Sequence, residues 1–119
     1  MKSNKIVTAL NAVTQTTTSE VIGIEYAEKV TILLTRANHG SGSSAFTVEG
    51  SIDGTTYIAL NTLLDNATGV LTHVSSKTLS ADGSALIAID LKQFGYKSIK
   101  VIATETTDGS HSAVVYVEY

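Results

Sequence analysis

Ala45-Phe46-Thr47-Val48-Glu49-Gly50-Ser51-Ile52-Asp53-Gly54-Thr55-Thr56-Tyr57-Ile58-Ala59-Leu60 is the stretch that decides the fold class. Phe46 and Val48 alternate with Thr47 and Glu49, the period-two pattern of a strand with one apolar face. Asp53-Gly54 then supplies the residues that a tight turn needs where φ is positive, and Tyr57–Leu60 returns. Reading outward, the same grammar repeats. Ile22, Ile24 and Tyr26 fall on one face of a strand at 20–26. Val30, Ile32 and Leu34 mark the next strand, with Thr31 and Thr35 opposite. After a Gly/Ser-rich loop at 39–44 comes the quoted hairpin, then a break at 65–69 and a polar strand around 71–79. Asp82-Gly83 turns into a strand at 86–91. Phe94-Gly95-Tyr96 makes a corner before Ile99, Val101 and Ala103. Asp108-Gly109 turns the chain into a last strand at 113–119. No segment has helical periodicity. Turn signals at this density predict an all-β, antiparallel β-sandwich or jelly-roll-like domain of eight to nine strands at 20–119. Segment 65–84 reads least clearly, with a loop or short helix as the alternative there.

Two features bear on assembly. Val114-Val115-Tyr116-Val117 is apolar on both faces, so this strand is either central in its sheet or covered by a partner. The first nineteen residues are Thr-rich and weakly amphipathic; they read as an edge strand or as an arm that orders on a neighbour.

The 119 residues suffice for one modest core. Thr (17), Val (11) and Ile (10) make up 38 of them, a β-branched usage that favours strands. There is no Cys, no Pro and no Trp, which excludes disulfide scaffolds, Cys-ligated zinc and thiol chemistry. A net charge of −3 gives no basic footprint for nucleic acid. The apolar run after Lys2 and Lys5 is too short for a signal peptide, and no stretch approaches the ~20 residues of a membrane span. The expectation is therefore a chain that crosses no membrane by a cleaved signal. Asn66-Ala67-Thr68 fits a glycosylation acceptor but reads as an ordinary turn without a secretory signal.

Catalytic and ligand-binding patterns are sparse. His39 and His111 sit in turn-like sequence and His73 in a polar strand, so all three read as surface histidines, and no Ser lies in a nucleophile elbow. The histidines are too far apart in sequence for a local metal set. Asp53, Asp82 and Asp108 each precede Gly without the alternating oxygen ligands of a calcium loop. Gly40-Ser41-Gly42 lacks the Lys and following helix of a phosphate loop. Acids such as Glu25 and Glu49 are scattered on turns and outward strand positions, without the stacking aromatics of a sugar cleft. Tyr26, Tyr57, Tyr96, Tyr116 and Tyr119 read as core or interface rings with a wet hydroxyl. Lys92, Lys97 and Lys100 read either as solvated lysines beside a corner or as a small patch for an acidic partner. No enzyme, metal or cofactor is expected.

The hairpin 45–57 resembles the "strand, Glu-Gly-Ser-x-Asp-Gly-Thr, aromatic" hairpin of small β-sandwich virion structural proteins of tailed bacteriophages. Gly95-Tyr96-Lys97-Ser98-Ile99-Lys100-Val101, the Asp108-Gly109 turn and Val114–Val117 resemble the closing hairpin of the same proteins. The similarity covers 20–119, with Tyr57 where many relatives carry Trp. The resemblance implies a virion component without an active site, assembled in the host cytoplasm. In first place it implies a capsid decoration (cement) protein held by surface contacts to the major capsid protein or other virion proteins. Homo-oligomers or lattice-bound copies would follow. The alternatives are a neck, tail, fibre or filament subunit and a carbohydrate- or receptor-binding module. The contact elements expected are the N-terminal segment with Ile6, Val7 and Leu10, the loop with His39, and the last strand with Tyr116 and Tyr119. No nucleic acid or membrane partner is expected.

Overall fold

The computed structural model describes residues 3–66, 70–105 and 108–119. Among these residues there is no helix. Twelve strands form two antiparallel six-stranded sheets: β1 (Asn4–Val13), β2 (Thr17–Thr18), β3 (Ile22–Gly23), β4 (Lys29–Ala37), β5 (Ser44–Ser51), β6 (Ile58–Ala59), β7 (Leu63–Asp65), β8 (Thr72–Val74), β9 (Lys77–Leu79), β10 (Gly83–Ile89), β11 (Ser98–Glu105) and β12 (Ser110–Glu118). The first sheet runs β1-β12-β4-β10-β7-β8. The second runs β2-β11-β5-β6, with β3 also on β11 and β9 on β5. The all-β antiparallel sandwich is as the sequence implies.

Ten of the twelve strands lie at 20–119, more than the eight or nine expected there, because five of those ten are pieces of two or three residues, too short for an alternating pattern. The single strand expected around 71–79 is two, β8 and β9, which belong to different sheets. Of the expected returning strand, Ile58–Ala59 pairs with β5 as β6, and the Leu60 N–H donates to the Val48 carbonyl of β5 at 2.9 Å. At 20–26 the buried face is Ile22 and Ile24 alone. Tyr26 departs from it, exposed at 89% with φ of 68°, because the chain turns there from the second sheet to the first. The glycosylation-like triplet and the break after Asn66 fall partly on 67–69, outside the described residues.

The core is the meeting of the two inner faces. Ile32 and Leu34 of β4 and Val115 and Val117 of β12 face Phe46 and Val48 of β5 and Ile99 and Val101 of β11, all fully buried. β12 lies between β1 and β4, so the strand that is apolar on both faces is central in its sheet. β1 is the edge strand of that sheet, with register shifts between Thr8 and Leu10 and between Leu10 and Val13. Its Lys5 points towards the interior side and donates to the Gly23 carbonyl of the opposite sheet at 2.6 Å. An inward charge and irregular register are both devices that discourage further strand pairing.

Candidate interaction surface

Alternation decides what the first sheet shows to solvent. Its inward residues fill the core, so the intervening ones face out. Register then places Ile6 beside Tyr116 and Thr31, and Thr8 beside Val114, Leu33 and Leu86. The result is an apolar band across four adjacent strands, spanning about 15 Å at the usual strand spacing. Ile6 is 70% exposed, Leu33 40% and Leu86 43%. Next to Leu33 and Leu86 opens a groove of about 650 Å³, lined also by Leu79 and by the Asp65–Lys77 ion pair (3.1 Å).

The loop end of the sandwich is polar and tied down. Arg36, wholly buried, donates from Nη1 to the carbonyls of Gly42 and Leu79 and from Nη2 to those of Ser41 and Asp108, at 2.8–3.0 Å. The Asp108 carboxylate accepts from the Gly40 and Ser41 N–H groups and lies 3.5 Å from Arg36 Nη2. Those backbone donors, Gly40 first, hold its pKa below the ordinary carboxylate value. Asp82 accepts from the His39 main-chain N–H at 3.1 Å and from its Nδ1 at 2.7 Å, which lowers its pKa in the same way. His73 meets Asp90 at 2.9 Å, and this contact, with the Lys92 N–H, lowers the Asp90 pKa.

His111 is not a surface histidine. It is fully buried, edge-on to Phe46, with Nδ1 donating to the Val13 carbonyl at 3.0 Å and Nε2 hydrogen-bonded to Ser44 Oγ. Because a carbonyl only accepts, Nδ1 is the donor to Val13. This hydroxyl–imidazole–carbonyl chain has the order of a nucleophile relay, but Ser44 and His111 are both 0% exposed and form part of the packed interior. Among the described residues no cluster of His, Asp and Glu is arranged to hold a metal ion.

The expected contact residues separate. Ile6 and Tyr116 come together on the outer band. Val7 is half-buried on the inner side of β1, and Leu10 belongs to the core at 3% exposure. Tyr119 packs against the core margin with Lys5 Nζ 5.9 Å from its ring centroid. His39 lies at the loop end, held by Asp82. Lys100 stacks over Tyr57 at 4.2 Å, while Lys92 and Lys97 are exposed. Leu33, Leu86 and Arg36 are not among the residues expected from the sequence. The period-two phase Val30, Ile32, Leu34 continues onto Arg36, a sequence signal for a buried cation. Leu33 stood out only as an apolar residue in the outward phase of the same strand.

No family model matches the sequence, and no curated protein matches it. Among solved structures, the SPBc2 prophage-derived protein YomS has a TM-score of 0.72 at 11% identity, over 100% of this chain and 96% of that one. A chain in the structure of infectious bursal disease virus, Gx strain, gives 0.53 at 12% identity over 99% of this chain; the match spans 33% of that longer chain. At these identities the likeness is one of fold.

Proposed function

We propose that this protein is a structural component of a virus particle, specifically a bacteriophage capsid decoration protein that acts by contact and not by catalysis. The observation that carries the reading is the apolar band Ile6–Tyr116–Val114–Leu33–Leu86, uncovered on the outer face of a sheet whose other face is already filled. Water-exposed apolar area of this continuity gains free energy when covered. The fold shared nearly end to end with a prophage-derived protein supports a phage setting. The partner surface is the major capsid protein, or neighbouring copies on it. A specific contact buries ~1,600 Å² in total, and repetition on a lattice multiplies a modest affinity through avidity.

The test is the double substitution Leu33→Glu, Leu86→Glu, cross-strand neighbours on the band. Both side chains are partly solvated already, so the sandwich should fold with an unchanged circular dichroism spectrum. Co-sedimentation with capsids of the encoding phage should drop by at least about tenfold in affinity, since desolvating two carboxylates costs more than the ~1.4 kcal/mol that factor represents. Undiminished copy number on capsids would overturn the reading. Binding to isolated tails and not to capsids would transfer the role to a tail or neck subunit.

A further inference from the structure

Each of the three Asp–Gly dipeptides stands where the chain needs glycine. The φ values are 83° at Gly54, 150° at Gly83 and 107° at Gly109, a region other residues rarely adopt. Asp–Gly is also the dipeptide whose chain can rearrange, because no side chain hinders the glycine nitrogen. That nitrogen attacks the aspartate Cγ, a C–N bond forms, the side-chain hydroxyl leaves as water, and a five-membered succinimide results. Water then adds back at either carbonyl. Opening at the α-carbonyl leaves the main chain running through the β-carboxyl, as isoaspartate. One water is lost and one regained, and no other reactant is needed.

We propose that Asp53, Asp82 and Asp108 are this protein's isoaspartate-forming sites and that the fold guards them by two independent devices, a self-contained turn at Asp53 and one shared loop over Asp82 and Asp108. The reaction requires a protonated carboxyl and a free glycine N–H that can approach it. At Asp53 both are withheld. Oδ1 accepts from the Thr55 and Thr56 N–H groups at 2.8 Å and from Ser51 Oγ at 2.9 Å, and the Gly54 N–H is itself engaged by Ser51 Oγ at 2.8 Å. At the other two sites the carboxylate is drawn away by residues distant in sequence but consecutive with one another. His39 holds Asp82, while Gly40 and Ser41 hold Asp108. The three carboxylates are kept ionised by these donors, with the Asp53 pKa far below the ordinary range. Reaction at Asp53 therefore waits on opening of its own hairpin, and reaction at Asp82 and Asp108 waits on release of residues 39–41.

The experiment is prolonged incubation of the whole chain at neutral pH and 37 °C, folded and in denaturant, with isoaspartate counted site by site by peptide mapping. In denaturant the three sites should react at similar rates. In the folded protein each should be slower by about tenfold or more, because reaction proceeds only from the locally open state. Gly40→Ala places a Cβ 2.6 Å from Asp108 Oδ2, so it displaces that carboxylate and should speed Asp108 several-fold without moving Asp53. Ser51→Ala frees the Gly54 N–H and should speed Asp53 without moving Asp108. Folded and denatured wild type reacting at equal rates would overturn the proposal, a comparison that stands even if a variant fails to fold. So would a folded variant that leaves its own site unchanged, or one that speeds all three sites alike.

Discussion

Four main-chain carbonyls converge on the Arg36 guanidinium, two from the loop after β4, one from the last residue of β9 and one from the turn before β12. A buried cation needs its donors met, and here the planar fork meets them at Nη1 and Nη2, while Nε is buried without a hydrogen-bond partner. Arg36→Met leaves the carbonyls facing an apolar side chain. The expected loss is at least about 3 kcal/mol of unfolding free energy, read from urea denaturation. Arg36→Lys should rescue little of it, because a point ammonium cannot span the four acceptors. The carboxylates of the turns set the acid limit. The folded-state pKa values of Asp53, Asp82, Asp90 and Asp108 lie below the ordinary value. The ionised groups therefore stabilise the fold above the unfolded pKa of about 4, and this contribution drains away as pH falls below it. The midpoint of thermal unfolding should stay flat from pH 7 to about 5 and decline steeply below about 4. Asp53→Asn should flatten that decline. Arg36 and His111 also mark the limit of reading residues one at a time. Each looks polar and solvated by type, yet each falls on the buried phase of its strand (Val30, Ile32, Leu34, Arg36 and His111, Ala113, Val115, Val117), and phase wins over type when partners are in place.

At the scale of elements, legibility follows length. β4, β5, β10, β11 and β12 each carry seven or more residues, enough for alternation to declare a face, and each was visible in the sequence. β2, β3 and β6 to β9 hold two or three residues apiece, and what makes them strands is the neighbour they pair with, which no local pattern contains. The outer band shares this difficulty. Ile6, Leu33 and Leu86 become one surface only through the order β1-β12-β4-β10, which places Ile6 beside Tyr116, residues far apart in the chain. Within β1 the register shift after Thr8 changes which side a residue takes, so plain alternation from Ile6 mislays Leu10. The two can be told apart by truncation. Leu10→Ala, in the core, should cost about 2–4 kcal/mol in chemical denaturation. Ile6→Ala should cost no more than about 0.5 kcal/mol and should act on binding instead.

The whole molecule is closed by its earliest and latest strands. β1 pairs with β12 along most of its length, β2 and β3 both pair with β11, and β12 in turn supports β4. No contiguous half of the chain holds a complete sheet, so neither half has a core to retain once the other opens. Unfolding should therefore be a single transition, with far-UV dichroism and tyrosine fluorescence superimposing. Folding must close long loops before these pairings reward it, which places it in the milliseconds-to-seconds range of β-sandwiches. The composition adds a sharper expectation. A chain with no proline has no X–Pro bond to isomerise, so the phase of about 10–100 s that slows many refolding reactions has no source here. Stopped-flow refolding after a short and after a long period in denaturant should give identical single-exponential traces. A slow phase that grows with time spent unfolded would contradict this, and probes that part company along the transition would mean that the two sheets open separately.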